Sequence, residues 1–320
     1  MELNLPILPQ LAESKSILIA GAGGGFDVFA GLPLYFTLRA RGKNVHLANL
    51  SFTEFRLAAL VSEIETLLPD LLVGARGRVK HTLSYLPEPL LAQWFQQQHA
   101  QDITIWMLAN SGGRQLKRAY QHLVEHLQVD ALILIDGGVD SLMRGDESGS
   151  GTLVEDTLSL AAVRALPLPV KILGCIGFGT EVEEAVCHYN ALENMAALTK
   201  AGAFLGVCAL TPQMLAFQQF EAACRYVWEQ KDHHKSHIST RIIPAVRGEF
   251  GAYDMYNDHF PGVCLSPLMG LYWFFDAATV IQHNKLIDAL ADTHDKPAAF
   301  RIADALIQRM QMRPRRALPY

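Results

Sequence analysis

The sequence predicts an α/β fold of the Rossmann-like, doubly wound type: a mostly parallel sheet with helices on both faces. Three observations carry this. A short apolar run rich in β-branched residues, a turn containing Gly, Asn or Asp, and a longer amphipathic segment recur along the chain, which is the alternation of parallel strands with crossover helices. The apolar runs show little alternation, as expected of strands covered by helices on both sides. Finally, 320 residues, 50% of them apolar and 18% charged, can bury a large core without disulfides or metals.

In chain order, residues 17–20 form the first strand, and a glycine-rich turn leads from it into a helix over 28–41. Residues 45–50 form the second strand and 54–68 a helix, while 73–91 is the least regular stretch. A third strand over 103–109 precedes a helix over 113–127, and a fourth over 131–135 leads through a flexible loop, 144–152 (RGDESGSGT), to a helix over 154–166. The fifth strand is 170–176, followed by helices over 180–199 and 212–230, with further strands at 204–210 and 241–246. Residues 265–291, aromatic around Leu271-Tyr272-Trp273-Phe274-Phe275, have the character of a largely buried late helix whose rings serve the core or a dimer interface rather than a cofactor. With no internal repeat or long linker, 1–320 is expected to be a single α/β domain, with a candidate lid at 247–262 and an exposed basic tail at 305–320 that has no specific role.

Composition narrows the function. The 27 Lys and Arg against 32 Asp and Glu give a net charge of −5, too mild and of the wrong sign for a dedicated nucleic-acid binder, so a small-molecule ligand is expected. The 24 glycines and 15 prolines are near average usage and exclude collagen-like chains. Five scattered cysteines with no C-x-x-C spacing suggest neither a disulfide framework nor a thiolate zinc site; they read as reduced core residues. No signal-peptide pattern is present and no window reaches the ~18 apolar residues of a membrane span, so the expectation is a cytoplasmic protein off the membrane, with a homo-oligomer as a candidate assembly.

In an open parallel sheet, ligands bind beyond the carboxyl ends of the strands, so the turns after each strand are the informative places. After the first come Gly21, Gly23, Gly24, Gly25 and Asp27; after the second, Asn49; after the third, Asn110, Ser111 and Gly112; after the fourth, Asp136, Gly137, Gly138, Asp140 and Ser141; after the fifth, Gly177, Gly179 and Glu181. Glycine backbone at a helix start can meet a phosphate or ribose. The turn departs from the dinucleotide fingerprint, because its third glycine falls on Phe26 and Asn49 stands where an acid is expected. The same stretch resembles the first motif of S-adenosylmethionine-dependent methyltransferases, where an acid is again expected at Asn49. Tight strand-to-helix packing through glycine remains an alternative.

The fourth strand end is the stronger signal. Asp136, Asp140, Asp146 and Glu147 lie close together, with Glu155 and Asp156 following. Carboxylates so spaced can hold Mg²⁺, for which Asp136, Asp140 and Glu147 are the candidate ligands, or act as acid and base, for which Asp136, Asp140 and Asp27 are the candidates. Glu155 and Asp156 equally suit a helix dipole, and Asp146 and Glu147 a solvated loop. The segment Asp232-His233-His234-Lys235-Ser236-His237 reads as a solvated loop rather than a metal site. Arg247, Glu249, Tyr253, Asp254, Asn257, Asp258 and His259 crowd the candidate lid. Walker, G-x-S-x-G, H-E-x-x-H and kinase motifs do not occur.

The pairing of ILIAGAGGGFDVFAGLPLYFTLRARG with ALILIDGGVDSLMRGDESGSGTLVEDT, followed by GCIGFGTEVE and SPLMGLYWFFD, resembles the prokaryotic domain-of-unknown-function family numbered 1152 over nearly the whole chain. The resemblance implies an α/β protein with a glycine-rich turn and an acidic DGG-x-DS segment, and it assigns no catalytic residue. LANLSF departs from the family pattern, in which a more basic end to the second strand is usual.

Three functions fit these residues. One is a hydrolase or transferase acting on a nucleotide-like or ribosyl-bearing small molecule, with Arg114 or Arg144 neutralising an anionic group. The second is an enzyme using NAD(P) or S-adenosylmethionine. The third is a non-catalytic ligand-binding regulator.

Overall fold

The computed structural model describes residues 2–149, 151–181, 185–253 and 263–318. The strands are β1 (Ser16–Gly21), β2 (Asn44–Ser51), β3 (Ile64–Leu68), β4 (Leu72–Ala75), β5 (Ile105–Ala109), β6 (Ala131–Asp136), β7 (Val170–Ile176), β8 (Phe204–Ala209) and β9 (Leu271–Asp276). The helices are α1 (Asp27–Ala30), α2 (Leu32–Ala40), α3 (Phe55–Val61), α4 (Pro87–His99), α5 (Gly113–His126), α6 (Leu153–Arg164), α7 (His188–Lys200), α8 (Leu215–Trp228), α9 (Ser239–Val246), α10 (Ala277–His283), α11 (Ile287–Leu290) and α12 (Lys296–Ile307).

One nine-stranded sheet has the order β3-β4-β5-β2-β1-β6-β7-β9-β8. Its centre, β5-β2-β1-β6-β7, is parallel, and antiparallel strands extend it at both edges. The fold is therefore the doubly wound α/β type. Successive residues of β1 enter opposite cores: Leu18 and Ala20 pack with α5, α6, α10 and α11, whereas Ile17 and Ile19 pack with α1, α2, α4 and α8. This burial on both faces is why the central strands lack alternation. The chain winds from β1 to β2 and β5 on one side, then returns through α5 to β6 on the other. The loops after β1 and β6 consequently leave in opposite directions and open a crevice between them.

Several elements differ from the sequence expectation. The helix expected over 54–68 stops at Val61, where the Ser62 hydroxyl bonds the Ala58 carbonyl at 2.7 Å, and the chain then enters the β3–β4 hairpin that zips onto β5. The helix over 28–41 is divided at Gly31 into α1 and α2, and the irregular stretch contains most of β4 and the start of α4.

The strand expected over 241–246 is α9. Ser236 starts the turn by accepting the Ser239 N–H on its hydroxyl at 3.1 Å and the Thr240 N–H on its carbonyl at 3.1 Å, and Ile242 and Ile243 are buried without a partner strand. The late helix over 265–291 is instead β9 followed by α10 and α11. Tyr272 and Phe274 enter one core and Phe275 the other, and a strand buried on both faces has the same uninterrupted apolar signature as a buried helix. Asp276 ends it by capping α10 through the Thr279 N–H at 2.8 Å.

Residues 314–317 of the tail are exposed, and the tail is anchored at Arg313. Arg313 pairs with Asp146 at 2.9 Å and with Glu147 and Glu193, and Ser148 donates to the Arg313 carbonyl at 3.0 Å. Of the five free cysteines, Cys264 is exposed and the others are buried. The candidate lid lies partly outside the described residues, including Asp254, Asn257, Asp258 and His259; its Arg247 is bound to Glu221 at 3.0 Å. Among the described residues, no helix is long and apolar enough to cross a membrane.

Candidate functional site

The site is built at the divergence of the β1 and β6 loops. Gly24 and Gly25 have φ of 97° and 63°, a conformation that favours glycine, and they turn the chain so that Asp27 folds back beneath it. One Asp27 carboxylate oxygen accepts the Gly23 and Gly24 N–H groups at 2.8 and 3.1 Å, and the other accepts the Gly137 N–H at 3.2 Å. Asp27 thus ties the two loops together. It also occupies the N–H groups that the sequence offered to a phosphate. Burial, reinforced by the neighbouring Asp140, pushes the Asp27 carboxyl up to about 8 against those N–H donors.

Beyond Asp27 lies an acidic cluster. Asp136 closes β6, Asp140 follows in a short 3₁₀ turn (Asp140–Leu142), and Asp156 stands in the first turn of α6. All three are buried, and one oxygen from each lies within 4.8 Å of the others. Asp136 accepts the Ser141 N–H at 3.1 Å and the Ser141 hydroxyl. Asp140 accepts the Thr152 N–H at 2.6 Å and its hydroxyl at 2.7 Å, and it shares a hydrogen bond with Glu181. Asp156 is fully buried and neither of its oxygens has a hydrogen-bond partner. Burial first, and the repulsion of neighbouring carboxylates second, raise Asp136 and Asp156 well above the usual carboxylate range. Burial raises Asp140 as well.

The glycines have a local reason to be there. A Cβ on Gly23 would stand 2.7 Å from an Asp156 oxygen, one on Gly137 2.9 Å from Asp27, one on Gly138 2.2 Å from the Glu181 carboxyl carbon, and one on Gly151 2.5 Å from Asp140. Each makes room for a carboxylate. Glu181 is held in turn by the Val139 N–H at 2.6 Å, and Gly177 and Gly179, at φ of 95° and 93°, shape the turn that delivers it.

The cluster borders a cleft of about 250 Å³, whose lining includes Asp136 and Asp140 while Asp156 lies behind it. Asp27, Asp136, Asp140 and Glu181 form its acidic side, with Gly23, Gly24, Gly25 and Tyr85 beside them; His234, Lys235 and His237 supply another part of the wall. The histidine segment is a loop with Asp232, His234 and His237 exposed, as expected, and it also borders the cleft. His233 is buried: its Nε2 accepts the Leu86 N–H at 2.9 Å, which assigns the proton to Nδ1, 2.7 Å from the His234 carbonyl. The Tyr85 hydroxyl is buried without a partner.

Other residues singled out in the sequence lie elsewhere. Asn49 is fully buried, donating to the Gly25 carbonyl at 2.9 Å and to Glu88 at 2.8 Å, with its own oxygen in the space a Gly21 side chain would need. Asn110 borders a second cleft, and Gly112 packs against the backbone of residues 293–295. Ser111 has a buried, unpartnered hydroxyl. Glu147 accepts from the backbone N–H groups of Arg144 and Gly145 and pairs with Arg313; it is outside the group of carboxylates that Asp136, Asp140 and Asp156 form. The Arg114 N–H bonds the Thr293 carbonyl at 3.1 Å, and Arg144 lies 3.9 Å from Asp146. The cluster member that sequence reasoning undervalued is Asp156. Its signal was an acid set in the apolar run LVEDTLSLAAV, a helix segment buried all round.

Residues 87–310 match the family described as "Protein of unknown function (DUF1152)". No curated protein and no solved structure matches the chain. The chain belongs to the DUF1152 family.

Proposed function

We propose that this member of the family binds a hard divalent cation of the Mg²⁺ class through Asp136, Asp140 and Asp156, and uses it in hydrolysis or group transfer on a nucleotide-like or ribosyl-bearing small molecule. The observation that carries the reading is the Asp156 carboxyl group, fully buried, unbonded at both oxygens and close to two further carboxylates. An unpaired buried charge is costly, and a hard cation with oxygen ligands would let Asp156 ionise beside Asp136 and Asp140. The cation would supply Lewis-acid chemistry and orientation. Asp27, held by three backbone donors at the cleft, has the position for proton transfer, and His234, Lys235 and His237 border the space for an anionic substituent.

The location, beyond the carboxyl ends of parallel strands where their order reverses, favours a nucleotide-like ligand on general grounds. The cleft volume favours a small one. NAD(P) and S-adenosylmethionine fit less well, because Asp27 already takes the N–H groups a pyrophosphate would use and Asn49 is buried away from the cleft.

The test is a thermal-shift panel with nucleosides, nucleotides, NAD(P) and S-adenosylmethionine, each with and without Mg²⁺, since a ligand specific for the native state raises its melting temperature. A magnesium-dependent shift with one nucleotide class, lost in a folded Asp136→Asn variant, is the expected result. A flat panel, or an equal shift in the variant, would overturn the proposal.

A further inference from the structure

A second cleft of about 570 Å³ lies at the carboxyl ends of β2 and β5, and Phe52 borders both this cleft and the acidic one. Phe52 follows β2 directly and is 45% exposed, unusual for a large aromatic next to a buried strand. Its ring rests on the glycine turn: a Cβ on Gly24 would come within 2.6 Å of it. At the end of β5, the Asn110 carboxamide oxygen and the Ser111 hydroxyl are both buried without hydrogen-bond partners. Buried polar atoms left unpaired call for a ligand or water, and Asn110 borders this cleft.

The charges of the cleft argue against an isolated phosphate. Arg56 is 3.5 Å from Asp70, and Lys296 is paired with Glu155 at 2.9 Å while its ammonium lies 5.2 Å from the centre of the Phe52 ring. What the cleft offers is a half-exposed aromatic ring, which the Lys296 ammonium approaches, and a carboxamide, the pair that a flat heteroaromatic ring with hydrogen-bonding edges uses.

We infer that the second cleft is a nucleobase subsite, in which a base packs on Phe52 and bonds Asn110 while the sugar and phosphate of the same ligand reach the acidic cleft. This deepens the proposed function and rests on it for the metal-bound end of the ligand.

The protein in Mn²⁺ is titrated calorimetrically with AMP, GMP, CMP and UMP, and with ribose 5-phosphate, which has the sugar and phosphate but no base. At least one nucleotide is expected to bind roughly tenfold or more tightly than ribose 5-phosphate, the scale of one base stacked on an aromatic ring. Phe52→Ala, and separately Asn110→Leu, should reduce that preference. Thermal melts check folding, and Phe52→Leu, which retains apolar bulk without an aromatic face, provides a further variant.

Equal affinity for all five ligands, binding of none, or a nucleotide preference that survives the Phe52 and Asn110 substitutions would overturn the inference. Mn²⁺ uptake, measured separately by water-proton relaxation, distinguishes the two proposals. Uptake without a base preference leaves the metal cluster and removes the subsite. A base preference that depends on Phe52 and Asn110, without Mn²⁺ uptake, leaves the subsite and removes the cluster.

Discussion

Replacing Asp156 with Asn should stabilise the metal-free protein while removing its capacity for a cation. One oxygen of Asp156 lies within 4.8 Å of an oxygen of Asp136 and of Asp140. At that separation two ionised carboxylates repel by about 3.5 kcal/mol at an effective dielectric of about 20. Asparagine removes the charge and forfeits no hydrogen bond, because neither oxygen of Asp156 accepts one.

The pH dependence has a definite sign. The folded-state pKa of Asp156 is raised above an unfolded value near 4, so the wild type loses stability as pH rises from about 4 through the raised value, while the variant lacks this loss. Urea unfolding in EDTA should therefore show a small difference at pH 4.5 that grows to about 3 kcal/mol at pH 8, roughly the repulsion from one neighbour. Saturating Mn²⁺ should reverse the order, since a free-ligand concentration a thousand times Kd adds about 4.1 kcal/mol to the state that binds. A variant no more stable than wild type at pH 8 in EDTA would refute the argument, since the carboxylate would then have to be compensated within the protein.

Removing Arg313 tests the tail. Arg313→Ala leaves Asp146 and Glu147, with side chains 5% and 0% exposed, short of their shared partner, and should cost about 3–5 kcal/mol in chemical denaturation. Lys285 and Arg313 outweigh burial and hold Asp146 below the usual carboxylate range. This stabilisation is present above about pH 4 and lost as pH falls through the depressed value, so an acid titration followed by circular dichroism should show a shallower dependence on this group in Arg313→Ala. Gly138→Ala places a Cβ 2.2 Å from the Glu181 carboxyl carbon and should cost about 1–3 kcal/mol by overpacking, read from the urea midpoint, with displacement of the Glu181 contact to the Val139 N–H visible in a crystal structure.

The sequence by itself determined the layered α/β plan and the importance of the fourth central strand end. Buried apolar runs such as ALILI, each stopped by a small polar turn, leave few alternatives to parallel strands with crossovers, and Asp136 directly after that run could only stand at a strand's carboxyl end. Local pattern could not settle elements whose neighbours decide their form. The β-branched residues of α9 read as a strand until the absence of a strand partner is known, and the aromatic run of β9 read as a helix because burial on both faces erases the period that separates the two.

The candidate site shows the same division. The glycines were legible, but their reason was not: Gly23 and Gly138 yield space to Asp156 and Glu181, which come from distant parts of the chain. Likewise, Asp156 joins Asp136 only because α6 packs its first turn beside the β1 loop, while Arg313 draws Asp146 and Glu147 into ion pairs of their own. Carboxylates adjacent in sequence were separated, and others far apart were brought within a few ångströms, because charge partners and packing across the sheet depend on distance in space rather than along the chain.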